Sequence, residues 1–168
     1  MPTTLTPRDR NLTAFGALRI AVGLLFVLFG QYKVFGRAFA HGGFEGWINR
    51  FIDGGAAYPF MVPVLHRIVL PHALPIAILV GYGELAIGIS LVLGLWSRAA
   101  SAFGVVYMMA LLFSSNYPGA DAPFWQYFGA SLDHLVLAMC FVAFITAHPD
   151  DTLSIAHVVA ARSPVPRP

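Results

Sequence analysis

HALPIAILVGYGELAIGISLVLGL, residues 72–95, is apolar almost throughout, with His72 at its start, Ser90 further along and one charged residue, Glu84, near its middle. At 1.5 Å of rise per residue, a helix of this length crosses the roughly 30 Å hydrocarbon core of a bilayer. A charge at that depth costs roughly 2.5–3.5 kcal/mol on insertion scales, so Glu84 must turn inward, pair with something, or carry chemistry.

The rest of the chain agrees with a membrane setting. Of 168 residues, 58% are hydrophobic and 11% charged, whereas a soluble domain carries about 25% charged residues. That much apolar surface has no place in a soluble fold, so the composition implies one compact membrane domain with lipid as its first partner. The net charge of +2 is scattered, with no basic run, which excludes nucleic acid as a partner. Cys140 is the single cysteine, so thiol exchange within the chain is excluded.

Working outward from 72–95, the apolar run AFGALRIAVGLLFVLFGQYKVF at 14–35 predicts a first span, interrupted by Arg19, Gln31 and Lys33. It is too long and too polar at its end for a cleaved signal peptide. The short turn Trp96-Ser97-Arg98 forces a third span, 99–115, to pack antiparallel beside the second. A fourth, 127–147, follows the aromatic cluster Phe124, Trp125, Tyr127 and Phe128, whose composition suits a membrane interface.

The expected fold is therefore an all-α membrane protein: a four-helix transmembrane bundle over 14–148, with tails at 1–13 and 149–168. The long first connection carries Phe44, Trp47, Ile48 and Phe51 at helical spacing, which predicts a short amphipathic helix on the membrane or capping the bundle. The piece 60–70, flanked and broken by Pro59, Pro63 and Pro71, reads as re-entrant or interfacial. Arg8, Arg10, Arg98, Arg162 and Arg167 fall on the side of the termini, which favours a plasma (inner) membrane protein of bacterial type with cytoplasmic ends.

Gly16, Gly23 and Gly30 recur every seven residues, as do Gly81 and Gly88. In lipid, close backbone approach at small residues supplies much of the packing, and this spacing fits a left-handed helix seam.

The intramembrane ionisable residues are Arg19, Lys33, Glu84, Asp133 and His134. Depths estimated from helical rise place them in two polar groups: Arg19 with Glu84 towards the termini, and Lys33 with Asp133 and His134 towards the long connection. Ion pairs that set helix register are one use for such groups, and a lysine snorkelling to the headgroups is another. A proton-active pair near an aromatic rim also has the ingredients of a quinone head-group site, because quinone reduction needs hydrogen-bond donors and a proton source. Haem ligation by His72 and His134, or a metal on Glu84 and His134, is disfavoured because six histidines spread over the chain place two together by chance.

The segments RIAVGLLF (19–26) and GQYK (30–33), together with GELAIG (83–88), LGL (93–95), Ser97-Arg98 and the Gly43-Phe44 to Trp47-Ile48 loop, resemble DoxX-like membrane proteins. The resemblance covers about 14–148. It implies a four-helix membrane protein that is an oxidoreductase or the membrane subunit of one, linked to quinone-coupled oxidation of sulfur compounds, with Arg19, Lys33, Glu84 and Arg98 at the family's polar positions. No flavin, nucleotide or iron–sulfur motif occurs in the sequence, so an electron source would have to come from another protein subunit.

Three functions follow as expectations. One is a quinone-linked membrane subunit, positioning quinone or anchoring a redox partner through Glu84, Asp133, His134, Arg19 and Lys33. The second is a non-catalytic scaffold or assembly subunit, and the third a small proton-coupled transporter using Glu84. Other subunits or further copies of the chain are expected partners in each case.

Overall fold

The structure is a computed structural model that describes residues 6–128, 132–147 and 153–155. The described residues are helical with no strand. Among the described residues, five longer helices carry the fold: α1 (Pro7–Phe35), α2 (Phe44–Asp53), α3 (Ala73–Leu93), α4 (Ser97–Ser115) and α5 (Asp133–Thr146). Three helical stretches among the described residues are long and apolar enough to cross a membrane, Arg10–Phe35, Val62–Leu93 and Ser97–Ser115. The protein is thus a multi-pass helical membrane protein.

Three boundaries differ from expectation. Helix α1 starts at Pro7, so most of the expected tail is helical. Proline suits the first helical position because its missing N–H is not needed there, and the Thr6 carbonyl accepts the first bond, from Arg10 N–H at 3.0 Å.

The stretch around 60–70 is not re-entrant. It runs as a continuous helical path from Val62 into α3, with a π turn at Leu65–Val69 and a 3-10 turn at Leu70–His72. Pro63 and Pro71 are each the second residue of a short turn, so the missing donors are absorbed by local rewinding instead of a break.

Helix α5 is 14 residues long and begins at Asp133. The aromatic residues Phe124–Phe128 form a separate 3-10 turn. Leu132 takes φ 58, a left-handed value that interrupts any helix running in from 127. The span expected at 127–147 is therefore a shorter apolar helix.

The strongest packing joins α1 to α3, antiparallel, along the two glycine rows. A Cβ placed on Gly30 would lie 2.6 Å from Leu85 N, one on Gly88 2.6 Å from Val27 N, and one on Gly23 2.9 Å from Gly88 O. The two backbones touch at these points, as small residues permit in lipid. Helix α5 docks on α4 through Phe141, whose ring lies 2.6 Å from where a Gly104 Cβ would be. Val22, Phe26, Leu91, Met108, Phe141 and Phe144 are buried at the centre.

A second apolar cluster sits at the far end of the bundle from the α3–α4 turn. Here α2 caps the helices with Phe44 and Ile48 buried against Leu65 and Ala77. The long connection is tied to the end of α4 by Tyr58 N–H to Phe113 O at 2.9 Å and by Tyr117 N–H to Ala56 O at 2.7 Å.

Candidate functional site

The polar group at the centre of the bundle combines Lys33 of α1, Glu84 of α3 and Tyr107 of α4. Lys33 Nζ forms an ion pair with Glu84 Oε1, and the Tyr107 hydroxyl donates to the same oxygen. Lys33 Nζ also lies 3.3 Å from the Tyr107 hydroxyl and 5.4 Å from the centroid of the Phe39 ring. The Glu84 side chain is 6% exposed and that of Lys33 19%. The second carboxylate oxygen, Glu84 Oε2, has no hydrogen-bond partner among the described residues. A buried acceptor of this kind carries a desolvation cost that a ligand's donor would relieve.

Two spaces flank this cluster. One, about 320 Å³, lies beneath α2 and is bounded by Lys33, Tyr107, Phe44, Trp47, Ile48 and Leu65 among others. The other, about 550 Å³, lies between α3 and α4 and includes Glu84, Tyr107, Gly83, Ala86, Ala99 and Phe103 in its walls. Apart from the cluster, both are bounded almost wholly by apolar side chains, and Tyr107 faces both.

The expected pairing of charges is overturned. Arg19 does not meet Glu84; its guanidinium donates to Leu91 O at the end of α3 and, at 3.1 Å, to Leu153 O beyond α5. Lys33 meets Glu84 in place of Asp133 and His134.

The register of the glycine seam explains both changes. Gly30 lies against Leu85, and a Gly94 Cβ would sit 2.9 Å from an Arg19 nitrogen. Glu84 and Gly94 are ten residues apart, about 15 Å along the helix. Side chains also lean towards the N-terminus of their own helix, which takes Arg19 away from Glu84. Arg19 is 0% exposed and sits at the C-terminal end of α3, where carbonyls and the helix dipole favour a cation.

Asp133 and His134 form a separate group. His134 Nδ1 lies 2.9 Å from Asn116 Oδ1 and 3.3 Å from Asp133 Oδ1, and the Asp133 carboxylate accepts the His134 backbone N–H at 2.8 Å. The Asp133 side chain is 54% exposed. The pair links the start of α5 to the end of α4 and does not join the central cluster. Tyr107 is the member of the cluster not expected from the sequence, where a phenol in mid-span whose hydroxyl needs a buried partner is the signal that marks it.

A sequence model of the DoxX family matches residues 14–116, which contain all three members of the central cluster. Comparison with curated proteins and with solved structures finds no match.

Proposed function

The chain belongs to the DoxX family of membrane proteins, and from that premise we propose that it is the membrane subunit of a quinone-linked oxidoreductase, with the quinone head group held at Lys33, Glu84 and Tyr107. The observation that carries this is Glu84 Oε2, a carboxylate oxygen without a hydrogen-bond partner among the described residues, on a residue that lines an apolar space of ligand size between α3 and α4. Lys33 is a donor suited to a ring carbonyl, Tyr107 holds Glu84 in place by donating to Oε1, and Glu84 is a proton-active acceptor suited to a ring hydroxyl. Reduction of the ring consumes two electrons and two protons. The electrons come from a partner subunit, and the protons pass through groups such as Glu84.

This places the site elsewhere than at Asp133 and His134, which secure the α4–α5 junction. The scaffold reading is less well supported, because a purely structural ion pair gains nothing from an unmet oxygen. The transporter reading fits poorly with the apolar walls of the space that Glu84 lines. The arginine distribution supports cytoplasmic termini.

The test is equilibrium binding of a short-chain benzoquinol, kept reduced, to the full chain in nanodiscs. Glu84→Gln and Tyr107→Phe should each weaken binding about tenfold, the order expected for one hydrogen bond to a charged or buried partner. His134→Ala should leave it unchanged. Equal affinity in folded Glu84→Gln and Tyr107→Phe proteins would overturn the assignment.

A further inference from the structure

The two spaces beside the cluster lie in different parts of the bundle. The one beneath α2 is roofed by Phe44 and Ile48, which are buried. The other follows the seam between α3 and α4 from Glu84 and Tyr107 to Ala99 and Trp96 at the turn. Ala110 and Ala99, both in its wall, are eleven residues apart on α4, so this groove runs about 16 Å along the bundle axis, with about 12 Å of it between Tyr107 and Ala99. Its rim residues Leu79 and Phe103 are each 70% exposed and Val106 69%. On spanning helices that rim faces hydrocarbon.

The groove exists because α3 and α4 present small residues to each other without closing on them. Gly23, Gly30 and Gly88 draw α1 and α3 into backbone contact, but a Cβ on Gly83, in the α3 wall of the groove, would meet nothing within 4 Å. Ala86, Ser90 and Ala99 leave further room along the seam.

An occupant must satisfy two conditions. At one end it must donate to Glu84 Oε2, and along the remaining length it must be apolar. Glu84 lies eleven residues from the start of α3 and nine from its end, about 16 Å and about 13 Å in, so a phospholipid headgroup would have to be dragged into the hydrocarbon core to reach it. The apolar face of a second copy would leave the oxygen unmet. A ring hydroxyl on a long hydrocarbon tail meets both conditions.

Resting on the head-group assignment above, we infer that the α3–α4 groove holds the hydrocarbon tail of a quinol-class ligand whose hydroxyl donates to Glu84 Oε2, and that the ligand reaches the site sideways from the bilayer through this seam. The tail moves from lipid and not from water, so it gains packing and orientation more than hydrophobic free energy. Its effect on affinity is accordingly a few-fold, and its position is the sharper readout.

The experiment uses the full chain in phosphatidylcholine nanodiscs with a polyprenyl benzoquinol, kept reduced, that carries a diazirine at the end of its tail. Cross-links are mapped by mass spectrometry, with the same ring lacking a tail as competitor. The expected result is labelling of groove residues such as Ser90, Ala99 and Phe103, suppressed by the competitor and by Glu84→Gln. Ala99→Phe, which plugs the far end of the groove well away from Glu84, should reduce it about fivefold, and Ser90→Leu serves the same purpose should that variant fold poorly. Labelling that is competed and Glu84-dependent but maps to α2 and the walls of the other cavity would overturn the groove while leaving the head-group assignment intact. Labelling insensitive to the competitor would overturn both.

Discussion

Lys33 lies one helical turn beyond Gly30, the residue that packs against Leu85, yet its ammonium reaches Glu84. Both side chains lean towards the N-termini of their helices, and in an antiparallel pair those directions converge. Arg19 leans by the same rule towards the end of α3, where it holds Leu91 O and Leu153 O.

The ion pair should behave as a unit. Removing one partner of a buried pair costs about 3–5 kcal/mol because the other charge is left in a poor solvent; with Lys33 partly exposed, the lower end applies. Lys33→Met should therefore lower thermal stability in detergent more than Lys33→Met/Glu84→Met does. Additive losses in the double variant would show that the two residues act separately.

The glycine seam should be intolerant of even one methyl group. Gly30→Ala and Gly88→Ala place a Cβ within 2.6 Å of backbone nitrogen, and such overpacking costs about 1–3 kcal/mol. Gly83→Ala, with nothing within 4 Å, should be neutral or stabilise the helix by about 0.5–1 kcal/mol. Unfolding temperatures of the three variants check this, and a Gly83→Ala protein as unstable as Gly30→Ala would contradict it.

Arg19 is expected to secure the segment beyond α5. Arg19→Met removes donors from Leu91 O and Leu153 O, and Arg19→Lys offers one ammonium where a fork of donors spanned two carbonyls. Hydrogen exchange at 153–155 should accelerate in both variants, while quinone affinity is preserved because Glu84 lies about 15 Å away along the helix. Unchanged exchange would show that the segment is held by other contacts.

His134 and Asn116 should show coupling to each other and none to ligand. Their 2.9 Å contact joins the start of α5 to the end of α4. A double-mutant cycle with alanine should return a coupling of about 0.5–1.5 kcal/mol in stability. A loss of quinone binding in His134→Ala would restore the Asp133–His134 pair as the candidate site.

Several features were legible without coordinates. The apolar runs placed the three long spanning helices to within a few residues at most ends, because hydrophobic length in a bilayer is a one-dimensional property. The amphipathic stripe of Phe44, Ile48 and Phe51 marked α2, and Gly23, Gly30, Gly81 and Gly88 marked the seam, since both signals are periodic. The start of α1 was missed because polar residues between Pro7 and Thr13 hide a helix whose first turn tolerates proline. The start of α5 was placed too early because the left-handed turn at Leu132 uses a residue with no preference for that conformation.

The sequence by itself determined that this is a helical membrane protein, that Glu84 is buried in mid-span, and that small residues bring two helices together. Which charge meets Glu84 was decided only by the tertiary structure. Partner choice depends on the register of α1 against α3 and on the direction in which each side chain leans, both set by how the glycine faces lock in three dimensions. Tyr107 joins the cluster for the same reason: α4 brings its hydroxyl to Glu84 from across the bundle, a meeting that no spacing along the chain records.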